Sequence, residues 1–167
     1  MSTPTWLPAA LKRTDFADES ALEIAVWTLF QTDFKTPPVF RNEKIFVDRN
    51  PHKACPNREH SYWHLITEGE PEENRTTPVP DRLEHLPWAK PIIENEACPL
   101  SAIKVWSNRR GGSTHVCIWF DRMNYLVILK QLPRDNYFLK TAYRPGSQGR
   151  QRLHKEYASW KKNGARL

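Results

Sequence analysis

The sequence predicts an α+β protein, in which an N-terminal helix packs on an antiparallel meander of about four to five strands and a basic helix follows. Three patterns indicate this: apolar residues at helical spacing after Ser20, four strand-like runs between residues 103 and 143, and a second helical pattern after Gly146. A chain of 167 residues fits one domain. Its expected segments are an arm and helix (1–36), short strands with Pro-rich loops (37–100), the sheet (101–146) and the basic helix (147–167).

The first helix is expected to begin at Ser20, because Asp18 and Glu19 place negative charge at its positive end. Apolar residues then recur at helical spacing to about Asp33. The prolines at 37 and 38 forbid its continuation. The apolar runs 39–40 and 45–47 that follow predict a short strand or hairpin.

The middle of the chain has weaker patterns. Residues 48–60 are polar and predict a loop, and 61–67 are aromatic and β-branched enough to predict a strand, although a helical turn fits so short a run. The acidic segment 68–81 contains three prolines and predicts a surface loop. Residues 82–94 alternate charged and apolar side chains, which predicts a short helix followed by an extended piece.

The last third of the chain has the clearest pattern. Runs of β-branched and aromatic residues start at Ile103, Thr114, Tyr125 and Tyr137 and are separated by short turns, which predicts an antiparallel meander. In the final helix, a core stripe is formed at i, i+4 and i+7 by Leu153, Tyr157 and Trp160.

Charge is distributed unevenly along the chain. Residues 101–167 contain 14 Lys/Arg and 3 Asp/Glu, whereas residues 1–100 contain 11 and 16. This asymmetry favours a polyanionic partner such as nucleic acid, although a merely soluble basic surface has the same composition. Three widely spaced cysteines disfavour a disulfide framework, and no segment approaches the ~20 apolar residues of a membrane span. We therefore expect a cytoplasmic protein without membrane contact.

Two histidines are candidates for acid–base chemistry. His60 and His64 share one face in a strand, and in a helix their i, i+4 spacing also aligns them. An imidazole titrates near neutrality, so one can accept the proton of a 2′-hydroxyl while another group, or a lysine, protonates the leaving 5′-oxygen. The alternative is one buried structural histidine and one exposed histidine.

Residues 137–143 provide candidate phosphate donors. A period of two puts Tyr137, Leu139, Thr141 and Tyr143 on one face, with Phe138, Lys140 and Ala142 on the other. The hydroxyls of Thr141 and Tyr143 can then donate to a phosphate, or they can lie at a half-buried edge of the sheet. Further candidates for substrate binding are the basic residues Arg82, Arg109, Arg110, Lys130, Arg150, Arg152 and Lys155.

Metal and cofactor motifs are weak. His52, Cys55, His60 and His64 give the spacing H-x2-C-x4-H-x3-H, which has ligand types suited to zinc but matches no strong zinc pattern. The chain lacks Walker, GxGxxG and GxSxG motifs. We therefore expect neither a metal nor a cofactor.

The order of helix, meander and basic helix, with a last strand Tyr137–Tyr143, resembles the phage-associated branch of the barnase, EndoU, colicin and RelE type ribonucleases. The resemblance covers mainly residues 58–67 and 101–162. It implies metal-free cleavage of RNA by transesterification to a 2′,3′-cyclic phosphate. On this resemblance His64 matches the early catalytic histidine, and Thr141 and Tyr143 match a pair on the late strand.

The chain departs from that family in two ways. Arg82, Arg109 and Arg110 are all eligible as the cleft arginine, and the acidic insert 68–81 is long. The resemblance and the candidate residues together predict a metal-independent ribonuclease, a toxin-like nuclease of phage or mobile-element type, with RNA and an inhibitor or immunity protein as partners. Two alternatives stay open: a nucleic-acid-binding module that stacks bases on Trp106 or Trp119, and a phage structural or interaction protein.

Overall fold

The structure is a computed structural model that describes residues 3–99 and 102–164, and its fold is α+β as predicted. Its α-helices are α1 (Glu19–Lys35), α2 (His60–Ile66), α3 (Pro80–His85), α4 (Ala89–Glu94) and α5 (Ser147–Lys162). Its strands are β1 (Val39–Phe40), β2 (Glu43–Phe46), β3 (Pro51–His52), β4 (Cys55–Glu59), β5 (Lys104–Arg110), β6 (Ser113–Phe120), β7 (Tyr125–Gln131) and β8 (Tyr137–Tyr143). None of the helices in these ranges is long and apolar enough to cross a membrane.

The main sheet has six strands in the order β1-β2-β8-β7-β6-β5. Strands β5 to β8 form the predicted antiparallel meander. The β1–β2 hairpin joins at its edge, where β2 runs parallel to β8 with Ile45 opposite Tyr137. The sheet is therefore mixed, and the prediction of a purely antiparallel sheet is wrong. No local turn links β2 to β8, so sequence patterns around either strand do not reveal their pairing.

Helix α1 forms as the sequence predicts and is slightly longer. The side chain of Asp18 accepts a hydrogen bond from the Ala21 backbone N–H at 2.8 Å, which caps the first turn. The buried face of the helix repeats at about one-turn spacing through Leu22, Val26, Phe30 and Phe34. This stripe joins the larger core on one side of the sheet.

The middle of the chain differs from the prediction. Residues 48–60 include the β3–β4 hairpin, 61–67 are largely helix α2 instead of a strand, and 82–94 are helical throughout. These segments are short, so tertiary packing outweighs their weak local preference. The acidic segment 68–81 is mostly irregular, with one 3-10 turn at Glu72–Asn74.

Two hydrophobic cores lie on opposite faces of the sheet. Along β6, Val116 and Ile118 belong to the larger core, whereas Cys117 and Trp119 belong to a smaller core. Helix α5 covers the smaller core through the predicted residues Leu153, Tyr157 and Trp160. Trp106 and Trp119 are 1% and 0% exposed within this core, so the interpretation of either as an exposed stacking platform is wrong.

Candidate active site

A cavity of about 450 Å³ lies between α2 and the sheet. His115 in its lining lies on the face of the sheet that α5 also covers, because it has the same parity on β6 as the buried Cys117 and Trp119. The lining contains four residues predicted from the sequence, His60, His64, Arg110 and Lys130. It also contains residues that the sequence analysis did not assign to the site, namely Ser61, Gly111, Ser113, His115, Phe138, Leu139 and Lys140.

Helix α2 is fixed at its start by the preceding loop. The His60 backbone N–H donates to the carbonyl of Asn50 at 2.7 Å, and the Ser61 N–H donates to the carbonyl of Asp48 at 3.0 Å. The hydroxyl of Ser61 in turn accepts from the Asp48 N–H at 2.7 Å. These bonds satisfy helix N–H groups that would otherwise lack partners, so the two histidines are held rigidly beside the sheet.

The environment of His64 in the cavity suits this histidine to acid–base chemistry. Burial, reinforced by the Arg75 guanidinium and by His60, lowers the pKa of His64 from its usual value to about 4. The ring is therefore neutral at pH 7. Its Nδ1 atom is shut off from solvent without a hydrogen-bond partner among the described residues, which leaves Nε2 as the nitrogen open to the cavity.

His60 lies against His64 but has different partners. The two rings are stacked with centroids 5.9 Å apart and planes 14° apart, as the i, i+4 spacing predicts. Nε2 of His60 is in close contact with Oε1 of Glu72, and Nδ1 lies 3.6 Å from Oδ2 of Asp48. Both nitrogens thus lie close to carboxylates. Of the two predicted catalytic histidines, the geometry favours His64.

His52, His60 and Glu72 place three potential metal ligands within 4.8 Å of one another. The Ala54 backbone N–H donates to Nδ1 of His52 at 3.0 Å, so Nδ1 carries no proton. Burial lowers the pKa of His52, which favours the neutral ring with its proton on Nε2. This atom lies 3.3 Å from Oε1 of Glu72, but the geometry does not form a hydrogen bond. A metal-bound imidazole needs a free lone pair on the ligating nitrogen and a proton on the other. We interpret the cluster as a set of polar contacts in which Glu72 attaches the acidic segment to His60 of α2.

A β-bulge shapes the sheet side of the cavity. On β8, Leu139 pairs with Leu129 and Thr141 pairs with Ile128, so Lys140 is an extra residue without a partner on β7. Leu139 belongs to the larger core, whereas Tyr143 packs against the smaller one. The prediction that these residues share a face is therefore wrong, because the bulge reverses the alternation between them.

The bulge leaves Lys140 exposed in the cavity wall. Its Nζ lies 3.2 Å from Nε2 of the buried His115. An ammonium group can only donate, so Nε2 of His115 accepts and the ring proton lies on Nδ1. Burial lowers the pKa of His115, and the charges of Lys140, Arg110 and Lys130 lower it further. All three lining cations are therefore close enough to act on one imidazole.

The described lining of the cavity carries positive charge. The cavity is lined by three cationic side chains, Arg110, Lys130 and Lys140, and by no carboxylate in the part of the chain that the structure describes. Arg110 is held by Glu156 of α5 through contacts of 2.9 and 3.0 Å. Among the described residues, Lys130 and Lys140 have no carboxylate partner, so their charges are available to a phosphate group in the cavity.

The late-strand pair lies beside the cavity. Among the described residues that line it, neither Thr141 nor Tyr143 is present. Tyr143 packs against the smaller core, and the Arg82 guanidinium lies 5.2 Å from the centre of its ring. Arg82 also donates to the carbonyl of Leu65 at 3.2 Å, so it supports the end of α2. The geometry thus separates these three residues from the group that lines the cavity.

The remaining basic candidates lie on the surface. Arg109 is exposed near the end of β5, and Lys155 is exposed on α5. Arg150 donates to Asp121 at 2.9 Å, and Arg152 lies 3.9 Å from Glu156. The bond of Arg150 fastens α5 to the sheet, which leaves Arg152 and Lys155 as the better candidates for contact with a polyanion.

His115 and Lys140 could have been found only from strand pairing. His115 lies opposite Lys130 on β7, and Lys130 lies opposite Phe138 on β8, so the register places these side chains in a row. A register derived from the turns would have suggested this row. The bulge that exposes Lys140 has no sequence signal such as glycine.

Comparison with known proteins adds no assignment: no family model, curated protein or solved structure matches this chain significantly.

Proposed function

We propose that the protein is a metal-independent ribonuclease that cleaves RNA by transesterification at this cavity. The observation that carries the proposal is that a neutral imidazole, His64, lines one cavity together with three cationic side chains. Cleavage of RNA by its own 2′-hydroxyl needs a base for that hydroxyl and positive charge around the phosphorus. Both requirements are met by the lining.

In the proposed reaction, Nε2 of His64 accepts the proton of the 2′-hydroxyl as the oxygen attacks phosphorus. Lys130 stabilises the negative charge that develops on the non-bridging oxygens. The products are a 2′,3′-cyclic phosphate and a free 5′-hydroxyl.

The low pKa of His64 is consistent with this role when substrate is bound. Burial, Arg75 and other cations lower the pKa in the empty cavity. A phosphodiester anion beside the ring favours the imidazolium form and so raises the pKa toward neutrality. Binding would thereby strengthen the base where it is needed, which fits the preference of acid–base catalysis for a pKa near the working pH.

The proposal is tested by incubating purified protein with a short RNA in excess EDTA. We expect cleavage, with a 2′,3′-cyclic phosphate identified by mass spectrometry, and no stoichiometric zinc in protein purified without chelator. A matched RNA with a single 2′-deoxy nucleotide at the cleaved position should resist, because it lacks the nucleophile. Cleavage of this control, or dependence on added metal, would contradict the mechanism.

A further inference from the structure

We propose that Lys140 is the general acid of this site, which protonates the 5′-oxygen as it leaves. The inference rests on the proposed ribonuclease function and adds the group that the base His64 requires as its counterpart. It is carried by the backbone irregularity at residue 140 and by the contact between Lys140 and His115.

The bulge gives Lys140 a position that regular pairing would not. Its neighbours Leu139 and Thr141 occupy consecutive places opposite β7, so the backbone of Lys140 is displaced from the ladder. Bulges of this kind re-aim a side chain and occur often beside active sites. The lysine is exposed although the flanking Leu139 is fully buried, so its ammonium group is available to a ligand in the cavity.

His115 accepts a hydrogen bond from the ammonium group of Lys140. It is 3% exposed and supplies one acceptor, Nε2, at 3.2 Å from Nζ. An ammonium group has three donors, so two N–H groups remain for the substrate. His115 is therefore a positioning residue, since it orients Lys140 and does not itself need to reach the reacting atoms.

The other two cations are less suited to donate a proton. Arg110 carries a guanidinium, which keeps its proton under all ordinary conditions, and it is paired with Glu156. Lys130 also lines the cavity and can donate a proton. Among the described residues, however, its ammonium group makes no hydrogen bond or ion pair that would hold its direction. We assign Lys130 to charge stabilisation and Lys140 to proton transfer.

The 2′-oxygen forms a bond to phosphorus while its proton moves to Nε2 of His64, and the bond between phosphorus and the 5′-oxygen breaks. A proton from Nζ of Lys140 goes to that oxygen, which leaves as a hydroxyl. His64 then releases its proton to solvent and Lys140 takes one up, so both groups return to their initial states.

The test compares two substrates with the same nucleoside and different leaving groups. One is a dinucleotide, whose 5′-oxygen must be protonated, and the other is the nucleoside 3′-(4-nitrophenyl phosphate), whose nitrophenolate leaves without a proton. The variants are Lys140→Met and Lys140→Arg, with Lys130→Met as the matched control. Arginine keeps the charge but is a very poor proton donor, so it separates the two roles of the lysine.

We expect both Lys140 variants to lose roughly 10²–10⁴-fold in kcat on the dinucleotide and to stay within a few-fold of wild type on the nitrophenyl substrate. Lys130→Met should lower both rates equally. Equal loss on both substrates with recovery in Lys140→Arg would show that Lys140 only supplies charge, and an unaffected dinucleotide rate would also overturn the inference. Failure of the wild type to cleave either substrate would instead overturn the proposed function and the inference with it.

Discussion

One face of the sheet carries the smaller hydrophobic core at one end and lines the charged cavity at the other. Under α5, β6 and β7 present Cys117, Trp119 and Leu126, all of which are at most 1% exposed. Toward the cavity, the same two strands present His115 and Lys130 at positions of the same parity. The strands and their register are continuous between the two ends, so only the side chains and their cover differ.

The difference shows how a site is made on a continuous scaffold. At the α5 end, apolar side chains are removed from water and stabilise the fold. At the cavity end, residues of α2 complete the lining, and polar side chains such as His115 and Lys130 replace apolar ones. Substitutions at the two ends should therefore separate activity from stability.

The largest expected effect is at the cavity end. His64→Ala should lower the rate of RNA cleavage by roughly 10²–10⁴-fold and leave RNA affinity close to unchanged, because a proton-transfer group contributes to the transition state more than to binding. Single-turnover rates and a binding titration measure the two effects. His154→Ala on α5, outside the lining, is the matched control and should keep the wild-type rate. A folded His64→Ala protein with full activity would leave the proposed reaction without its base.

At the α5 end, Trp119→Ala should lower the free energy of unfolding by about 3–5 kcal/mol, because a fully buried indole is replaced by a cavity. Urea denaturation followed by circular dichroism measures this change. Trp160→Ala, at the partly exposed edge of the same core, should cost clearly less. Equal losses in the free energy of unfolding would mean that the buried centre of the smaller core contributes no more to stability than its partly exposed edge.

Stability should depend on pH through the cavity histidine. The pKa of His64 is about 4 in the folded protein and 6.5 in its unperturbed form. Between these values the unfolded state binds more protons, so the free energy of unfolding falls as pH decreases from about 6.5 to 4. We expect a loss on the order of 2 kcal/mol, less than the full shift implies because solvent screens a partly exposed ring.

Denaturation curves at several pH values measure this dependence, and His64→Ala should reduce it. His52 and His115 also have lowered pKa values and contribute in the same direction, so a smaller slope should remain in the variant. An unchanged slope would show that His64 is not the buried neutral group described above.

The smallest expected effect concerns the outer surface of α5. Arg152→Glu with Lys155→Glu should weaken RNA binding and reduce the dependence of log affinity on log salt concentration by roughly 1–1.5, since two phosphate contacts are lost. Binding titrations at several salt concentrations measure the slope. The control is Lys12→Glu with Lys44→Glu, which changes the net charge by the same amount. Both lysines are exposed and lie far from α5 in the sequence. Equal effects would indicate general electrostatics instead of a binding surface.

Much of the fold could be predicted because its signals are local. The caps and the apolar stripe of α1, the turns of the meander and the stripe of α5 are each readable within a few residues. The pair of His60 and His64 was predicted for the same reason, since four residues of spacing align side chains in a helix and also place them on one face of a strand. The charge of the C-terminal third is a matter of composition alone.

Other features were decided only by the tertiary structure. The parallel pairing of β2 with β8 joins segments that are far apart in the chain, and α2 is a helix because the loop at 48–50 and the core fix so short a segment. The bulge at Lys140 depends on how β8 is paired with β7, and it decides which side chains face the cavity. The sequence by itself determined α1, the meander and α5, and it indicated His64 as a candidate base. The partners of that base were set by pairing and burial, because contacts between distant segments leave no local pattern in the chain.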